Sequence, residues 1–249
     1  MNIKKPKHGL PAIIVSALIL LPLLSAPGFG QSSAPQDSAR IQPFTATYDS
    51  VWYPLSLKGS ATRTLQIKKT SHGLLTFEGK IMGATLKEKS SLQWNGCVPV
   101  PRSFSRSKKR IFSNKTIDQQ TFNWPAKQVS TRHKERTAKL AITDGTFDPL
   151  SYQLALRCGL KQGKTQFEYD VVRKTKMKRY HFKVVGEESI STALGTLQAI
   201  KVIRSSDGSN NKQTTLWFSK VHDFTLIKLE QKEADNNHYI FTIRELTIH

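Results

Sequence analysis

The chain has 249 residues, with 38 Lys and Arg against 18 Asp and Glu, a formal net charge of +20. A hydrophobic content of 38% supplies a core, excluding a disordered basic tail, and 14 Gly and 11 Pro exclude collagen-like and Pro-rich low-complexity chains. Two cysteines are too few for a disulfide-scaffold minidomain or a four-cysteine zinc module.

Residues 1–30 read as an export signal. Lys4, Lys5 and Lys7 precede an apolar run from Ile13 to Leu24, and the small residues Gly28 and Gly30 place cleavage after Gly30. The apolar run is about a dozen residues, short of the roughly 20 that span a bilayer, and no later segment reaches that length. The expected mature protein is periplasmic, without a transmembrane helix. Without residues 1–30, whose only charges are Lys4, Lys5 and Lys7, the +20 falls to +17. Export also argues against a nucleic-acid partner, although basic and aromatic residues interleave at Phe104-x-Arg106.

Residues 31–43 are polar with Pro35 and Pro43 and read as a flexible leader; residues 44–249 read as one β-rich domain. Phe44, Ala46 and Tyr48 alternate with Thr45, Thr47 and Asp49, and Ala61, Arg63, Leu65 and Ile67 continue the period of two. Further runs follow at 75–81, 85–94, 102–112, 116–124 and 127–142, with Asn95-Gly96 as the strongest hairpin signal. After residue 160 come 165–172, 178–185, 195–205, 213–219, 225–231 and 238–248, punctuated by Gly163, Gly186 and Asp207-Gly208. One short helix is predicted over 148–158: Asp148 caps, Pro149 takes the first helical position, Leu150, Leu154 and Cys158 form an apolar stripe, and Gly159 stops it. The predicted fold is mainly β, an antiparallel meander forming a curled sheet or open barrel-like wrap that the helix plugs or covers.

The Asp148-Pro149-Leu150-Ser151 helix start, the run Leu194-Gly195-Thr196-Leu197-Gln198-Ala199-Ile200-Lys201-Val202, and Leu216-Trp217-Phe218-Ser219 followed by Thr225-Leu226-Ile227-Lys228-Leu229 recur in one order behind Phe44-x-Ala46-x-Tyr48. In these the chain resembles the bacterial envelope family called domain of unknown function 3108, departing from it at Thr225 and Leu226, where the family often carries a Pro. The resemblance implies a periplasmic protein rich in antiparallel strands. It transfers no catalytic residue.

No constellation of enzymatic chemistry is visible. The histidines have no H-x-x-x-H or H-E-x-x-H spacing, and no G-x-S-x-G elbow or P-loop occurs, so no metal, cofactor or catalytic residue is expected. His222-Asp223 reads as a turn, and Glu187-Glu188 as a turn edge rather than a glycosidase dyad. Cys97 and Cys158 are expected to pair, because export places them in an oxidising compartment and a bridge would tie the helix to the sheet.

The charge is clustered. Residues 102–139 hold 11 basic and 2 acidic side chains, and residues 161–183 hold 8 and 2. If both segments are extended, Arg132, Lys134 and Arg136 share one strand face, and Arg179, His181 and Lys183 share another, opposite Tyr180, Phe182 and Val184. Arg132, Lys134, Arg136, Arg179 and Lys183 are thus candidate anion-binding residues, either for a phosphate-bearing envelope polymer or for lipid head groups; the plainer reading is a solvated face. The leading functional expectation is a non-enzymatic periplasmic protein that binds such an anion. Its alternative is a carrier of an apolar or lipid ligand inside the curled sheet, lined by Trp94, Trp124, Trp217 and Phe218. An envelope hydrolase is a further alternative.

Overall fold

A computed structural model describes residues 41–68, 71–110, 113–205, 213–233 and 237–249; the expected signal and nearly all of the expected leader lie outside these. Its strands are β1 (Phe44–Tyr53), β2 (Leu57–Lys68), β3 (His72–Ile81), β4 (Ala84–Asn95), β5 (Val98–Arg110), β6 (Ser113–Asn123), β7 (Gln128–His133), β8 (Arg136–Ala141) and β9 (Thr146–Phe147). Helix α1 (Ser151–Lys161) follows, then β10 (Gln166–Arg173), β11 (Lys176–Thr192), β12 (Gly195–Ser205), β13 (Gln213–Ser219), β14 (Thr225–Lys232) and β15 (His238–Ile248).

All fifteen strands form one sheet, ordered β8 to β1 and then β15 down to β9. The first and last long strands meet at a central seam, where Phe44 pairs with Ile248 and Tyr53 with His238. From that seam two arms extend, β1–β8 and β15–β9, and the end strands β8 and β9 are not paired with each other. The sheet is therefore a curled wrap that does not close, as the alternation of the sequence predicts. One junction departs from the antiparallel expectation: β9 runs parallel to β10, with Thr146 beside Asp170 and Phe147 beside Val171. Parallel neighbours need a crossover long enough to return the chain to the same end, and α1 supplies it.

The helix wedges between the arms. Leu150, Leu154 and Cys158 join a cluster with Phe44, Ala46, Tyr48, Leu65, Leu75, Leu92 and Phe104 from β1–β5. Tyr152, Ala155, Leu156 and Leu160 join a second cluster with Phe167, Val171, Phe182, Val202, Leu216 and Phe218 from β10–β13. Leu154 and Leu156 thus belong to different clusters, the first of which also takes in Ile190, Trp217, Ile227 and Ile243 of the second arm, so the helix carries two buried sides rather than one narrow stripe. Beyond the helix the arms touch directly, where the Gln120 amide donates to the Val172 carbonyl at 2.9 Å.

The ends of α1 refine the predicted span. Asp148 Oδ1 accepts from the backbone N–H groups of Leu150 and Ser151 at 2.7 and 3.0 Å, and Ser151 Oγ accepts in return from the Asp148 N–H at 3.0 Å. This reciprocal cap satisfies orphan donors at the start, and regular helix begins at Ser151. The stop is Gly163, not Gly159. Lys164 N donates to Gly159 O and Gly163 N to Leu160 O, a Schellman closure with Gly163 at φ +75°. Gly159 has a different function: a Cβ there would stand 2.5 Å from the Phe167 ring, so glycine allows β10 to pack against the helix.

Asn95-Gly96 does mark a hairpin, with the loop one residue later than the dipeptide, while other signals resolve differently from their sequence reading. The β4–β5 hairpin loop is Gly96-Cys97, with Asn95 paired to Val98 and the positive φ of +60° on Gly96 alone. Gly186 is no turn: it sits at φ +143° in a β-bulge between Val184 and Gly186, and β11 runs through it to Thr192. Glu187 and Glu188 consequently lie within a strand, where Glu187 pairs with Lys220 and Glu188 with Lys201. Lastly, Ile41 is buried and the Pro43 carbonyl accepts from His249 N at 2.9 Å, so the last residues of the expected leader belong to the folded unit.

Candidate ligand cleft

Cross-strand pairing brings seven inward-facing side chains into one row across the first arm. Arg63 on β2 lies beside Phe77, Phe77 beside Glu88, Glu88 beside Arg106, Arg106 beside Asp118, Asp118 beside His133, and His133 beside Arg136. Opposite charges directly across a ladder stabilise each other, and the middle of the row, from Glu88 to His133, is built that way. The Arg106 guanidinium pairs with the buried Glu88 carboxylate, and His133 Nδ1 with the buried Asp118.

Arg63 ends the row differently. Its side chain is buried beneath the start of α1, where Nη1 donates to Gln153 Oε1 at 2.6 Å. Its Nε and Nη2 atoms are buried and have no hydrogen-bond partner. The Phe44 ring, with its centroid 6.0 Å from the guanidinium carbon, offers only a weak π contact. Burial lowers the affinity of Arg63 for its proton, opposed by Tyr48, Tyr152 and Glu88, but a guanidinium stays charged in any protein environment. A buried cation with two unsatisfied donors is costly, so its persistence calls for an explanation.

Arg63 lines a cleft of about 660 Å³ between the two arms. Its apolar lining includes Tyr48, Phe77, Tyr180, Leu226, Leu229 and Phe241 from the sheet, with Leu150 and Tyr152 from the start of the helix. Tyr48 is fixed by donating its hydroxyl to the Leu226 carbonyl at 2.8 Å, and burial raises its pKa. Arg106 and Arg136 line the first arm's side, and Arg173, Lys176, Lys178, Arg179 and Arg204 the second's. Arg204 lies 4.5 Å from the centroid of the Tyr180 ring. The lining holds nine Lys and Arg residues (Lys174 is the ninth) against Glu88 and Glu233. The site thus combines an apolar floor, a deep unsatisfied cation and a basic mouth.

Of the two expected strand faces, the one of Arg179, His181 and Lys183 is present on β11, and the one of Arg132, Lys134 and Arg136 is not. Lys134 sits in the β7–β8 turn at φ +54°, which breaks the run 127–142 into two strands. Arg132 and Arg136 therefore belong to different strands, and Arg132 donates to the Lys134 carbonyl at 3.3 Å. On β11 the expected alternation is present: Phe182 is buried on one side, while on the other Arg179 and His181 both pair with Glu168. Arg179 also binds Asp170, with Nε to Oδ1 at 2.9 Å. Of the five, Arg136 and Arg179 reach the cleft; Arg132, Lys134 and Lys183 do not line it.

The aromatic lining expected of a carrier is likewise different. Trp217 and Phe218 are buried core, with Trp217 Nε1 donating to Glu188 at 2.5 Å and the Lys201 and Lys228 ammonium groups over its ring. Trp124 stacks on Phe122 and donates to the Pro101 carbonyl, and Trp94 packs against Gly73. Tyr48, Phe77, Tyr152 and Tyr180 replace these residues. The period-two run Ala61-x-Arg63-x-Leu65 already marked Arg63 as inward-facing, and Glu88 and Asp118 carry the same signal of a charge at a core-facing register.

Cys97 and Cys158 are bonded, with a Cα–Cα distance of 5.5 Å, tying the β4–β5 loop to the helix as expected. His222 and Asp223 do form a turn: Lys220–His222 is a single 3-10 turn, after which Asp223 accepts from Arg157 Nη2 and Lys161 Nζ, each at 2.6 Å. Arg157 is a buried helix residue, so this cluster anchors α1 to the second arm. Among the described residues no group of three His, Cys, Asp or Glu side chains is placed to hold a metal, and no helix is long and apolar enough to cross a membrane.

A family model described as "Protein of unknown function (DUF3108)" matches residues 44–243. No curated protein matches the chain. Among solved structures, the chain is similar to a beta-barrel-like protein of domain of unknown function DUF1849 from Brucella abortus, with a TM-score of 0.59 and 10% identity over 84% of this chain and 99% of that one. A putative outer membrane lipoprotein-sorting protein domain from Vibrio parahaemolyticus matches 86% of this chain and 89% of its own at 9% identity, with a TM-score of 0.24. The first likeness supports a shared barrel-like wrap; the second is too slight to bear on the fold.

Proposed function

Since the chain belongs to the DUF3108 family of unknown function, whose model spans most of the described residues, we propose from the cleft itself that it is an exported carrier of a lipid-like ligand. The carrying observation is that the two arms and the start of α1 leave an apolar-floored cleft of about 660 Å³ rather than filling the wrap with side chains. Pockets for small ligands fall at roughly 300–1,000 Å³, a range that includes this cleft, whose apolar residues are interleaved with many cations. Six cationic groups besides Arg63 and the carboxylate-paired Arg106 and Arg179 surround this cleft, which draws the leading sequence expectation, an anion, into the same site. Export into the periplasm rests on the Lys4-Lys5-x-Lys7 and Ile13–Leu24 pattern.

The test is an uncharged fluorescent apolar probe added to delipidated protein beginning at residue 31. Saturable emission enhancement is expected, together with its loss on replacing Leu226 by Trp, which places an indole in the cleft while leaving thermal unfolding cooperative. Equal enhancement in both proteins would remove the cleft from the account. Fractionation of cells expressing the full chain should recover a periplasmic form shortened by about 30 residues.

A further inference from the structure

Arg63 is out of place in an ordinary core. Nine-tenths of its surface and more is buried, it is 5% exposed, and the surrounding chain provides a partner for only one of its three nitrogens. The neighbouring carboxylate on the same row, Glu88, is taken by Arg106. Gln153 holds the guanidinium from the helix side through Nη1, leaving the Nε and Nη2 edge unpartnered on a residue that lines the cleft. That edge is a two-donor fork, the geometry that binds the two oxygens of a carboxylate or phosphate side by side. The buried position also means that an anion must come with an apolar body, because a hydrated free ion gains nothing from Tyr48, Phe77 and Leu226 around it.

We propose that Arg63 is the recognition centre for an acidic head group, carboxylate or phosphate, of a single-chain amphiphile that enters head first. This rests on the carrier reading and specifies its ligand class. The head seats on Nε and Nη2 of Arg63, satisfying both donors and neutralising the buried charge. The chain extends outward along Leu226, Leu229 and Phe241, and the exposed cations Lys176 and Lys178 at the mouth attract the acid during entry. Gln153 is a positioning residue.

The experiment compares three ligands with the same sixteen-carbon chain, palmitate, hexadecyl phosphate and hexadecanol, by displacement of the uncharged probe from the wild-type protein and from Arg63→Met and Gln153→Ala. Both acids are expected to bind roughly tenfold to hundredfold more tightly than the alcohol, the range for a charge-assisted hydrogen-bond pair. Arg63→Met should erase that difference and leave hexadecanol affinity unchanged; Gln153→Ala should narrow it. Inorganic phosphate and acetate should fail to displace the probe at millimolar concentration. If acids and alcohol bind alike, the inference is overturned while the carrier reading stands. If none of the three binds, both fall. Displacement by inorganic phosphate as strongly as by hexadecyl phosphate would overturn the amphiphile in favour of a free anion. The wild-type comparison of acids with alcohol needs no variant, so a misfolded Arg63→Met leaves the outcome decided.

Discussion

Reducing the Cys97–Cys158 bridge, or replacing both cysteines by Ala, is expected to lower the unfolding free energy by about 4 kcal/mol, the chain-entropy value for a loop of this size. The two residues are 61 apart in sequence, so their bond restrains a quarter of the chain in the unfolded state. In the folded state it fastens the loop between β4 and β5 to the part of α1 that packs in the first cluster, where both sulfurs are buried and Gln162 Nε2 donates to Cys97 Sγ at 3.4 Å. For a domain of about 200 residues a loss of this size lowers Tm by roughly 10 °C. Thermal unfolding with and without a phosphine reductant measures it. A change under 2 °C with the bond demonstrably reduced would show that the helix is held by packing alone.

Asp148 gives the second large effect, and it depends on pH. Its carboxylate is wholly buried, and burial raises its pKa to about 6 against the pull of the hydrogen bonds from Ser90, Ser151 and Leu150. In the unfolded chain the same group titrates near its ordinary value of 3.8. The folded state therefore holds the proton more tightly, so this group's contribution to stability is complete below about pH 4 and is lost as pH rises through about 6. A shift of this size corresponds to roughly 3 kcal/mol between those limits. Asp148→Asn keeps an Oδ1 for the Leu150 and Ser151 N–H groups and cannot ionise. Urea unfolding at intervals from pH 4 to 7.5 should show the wild type losing about that much relative to Asp148→Asn. Parallel pH profiles for the two proteins would contradict the assignment.

The wrap was legible because each buried strand face repeats with a period of two: Phe44-x-Ala46-x-Tyr48 and Ala61-x-Arg63-x-Leu65 point the same side chains inward that the folded sheet buries. Turn chemistry was read less well, for definable reasons. Gly159 and Gly186 both looked like stops, yet one allows close approach of the Phe167 ring and the other opens a bulge; a glycine shows that a Cβ is excluded, not what excludes it. The β7–β8 turn carries Lys134 in the left-handed region with no Gly, Asn or Pro to mark it, so the run 127–142 read as continuous. That error produced the supposed face of Arg132, Lys134 and Arg136.

The site was half legible. Period two placed Arg63 inward, but its significance depends on neighbours that are far away in sequence. Gln153 is 90 residues distant, and the row from Arg63 to Arg136 exists only once six consecutive registers are fixed. Charge counting found the segments 102–139 and 161–183, which supply Arg106 and Arg136 to one side of the cleft and Arg173, Lys176, Lys178 and Arg179 to the other. It could not show that the two segments come to one cleft, because α1 packs against both β5 and β10 only in the curled form.

A cleft that holds a lipid-like ligand should bring that ligand with the protein out of the cell. Native mass spectrometry of the protein, purified from its own envelope fraction without detergent and followed by solvent extraction and mass analysis of the extract, tests it most directly. A single adduct at one copy per chain, recovered as an acidic amphiphile and absent from the Leu226→Trp protein, is the predicted result. A spectrum at the bare mass of the polypeptide, with an extract no richer in amphiphile than that of the Leu226→Trp protein, would contradict it.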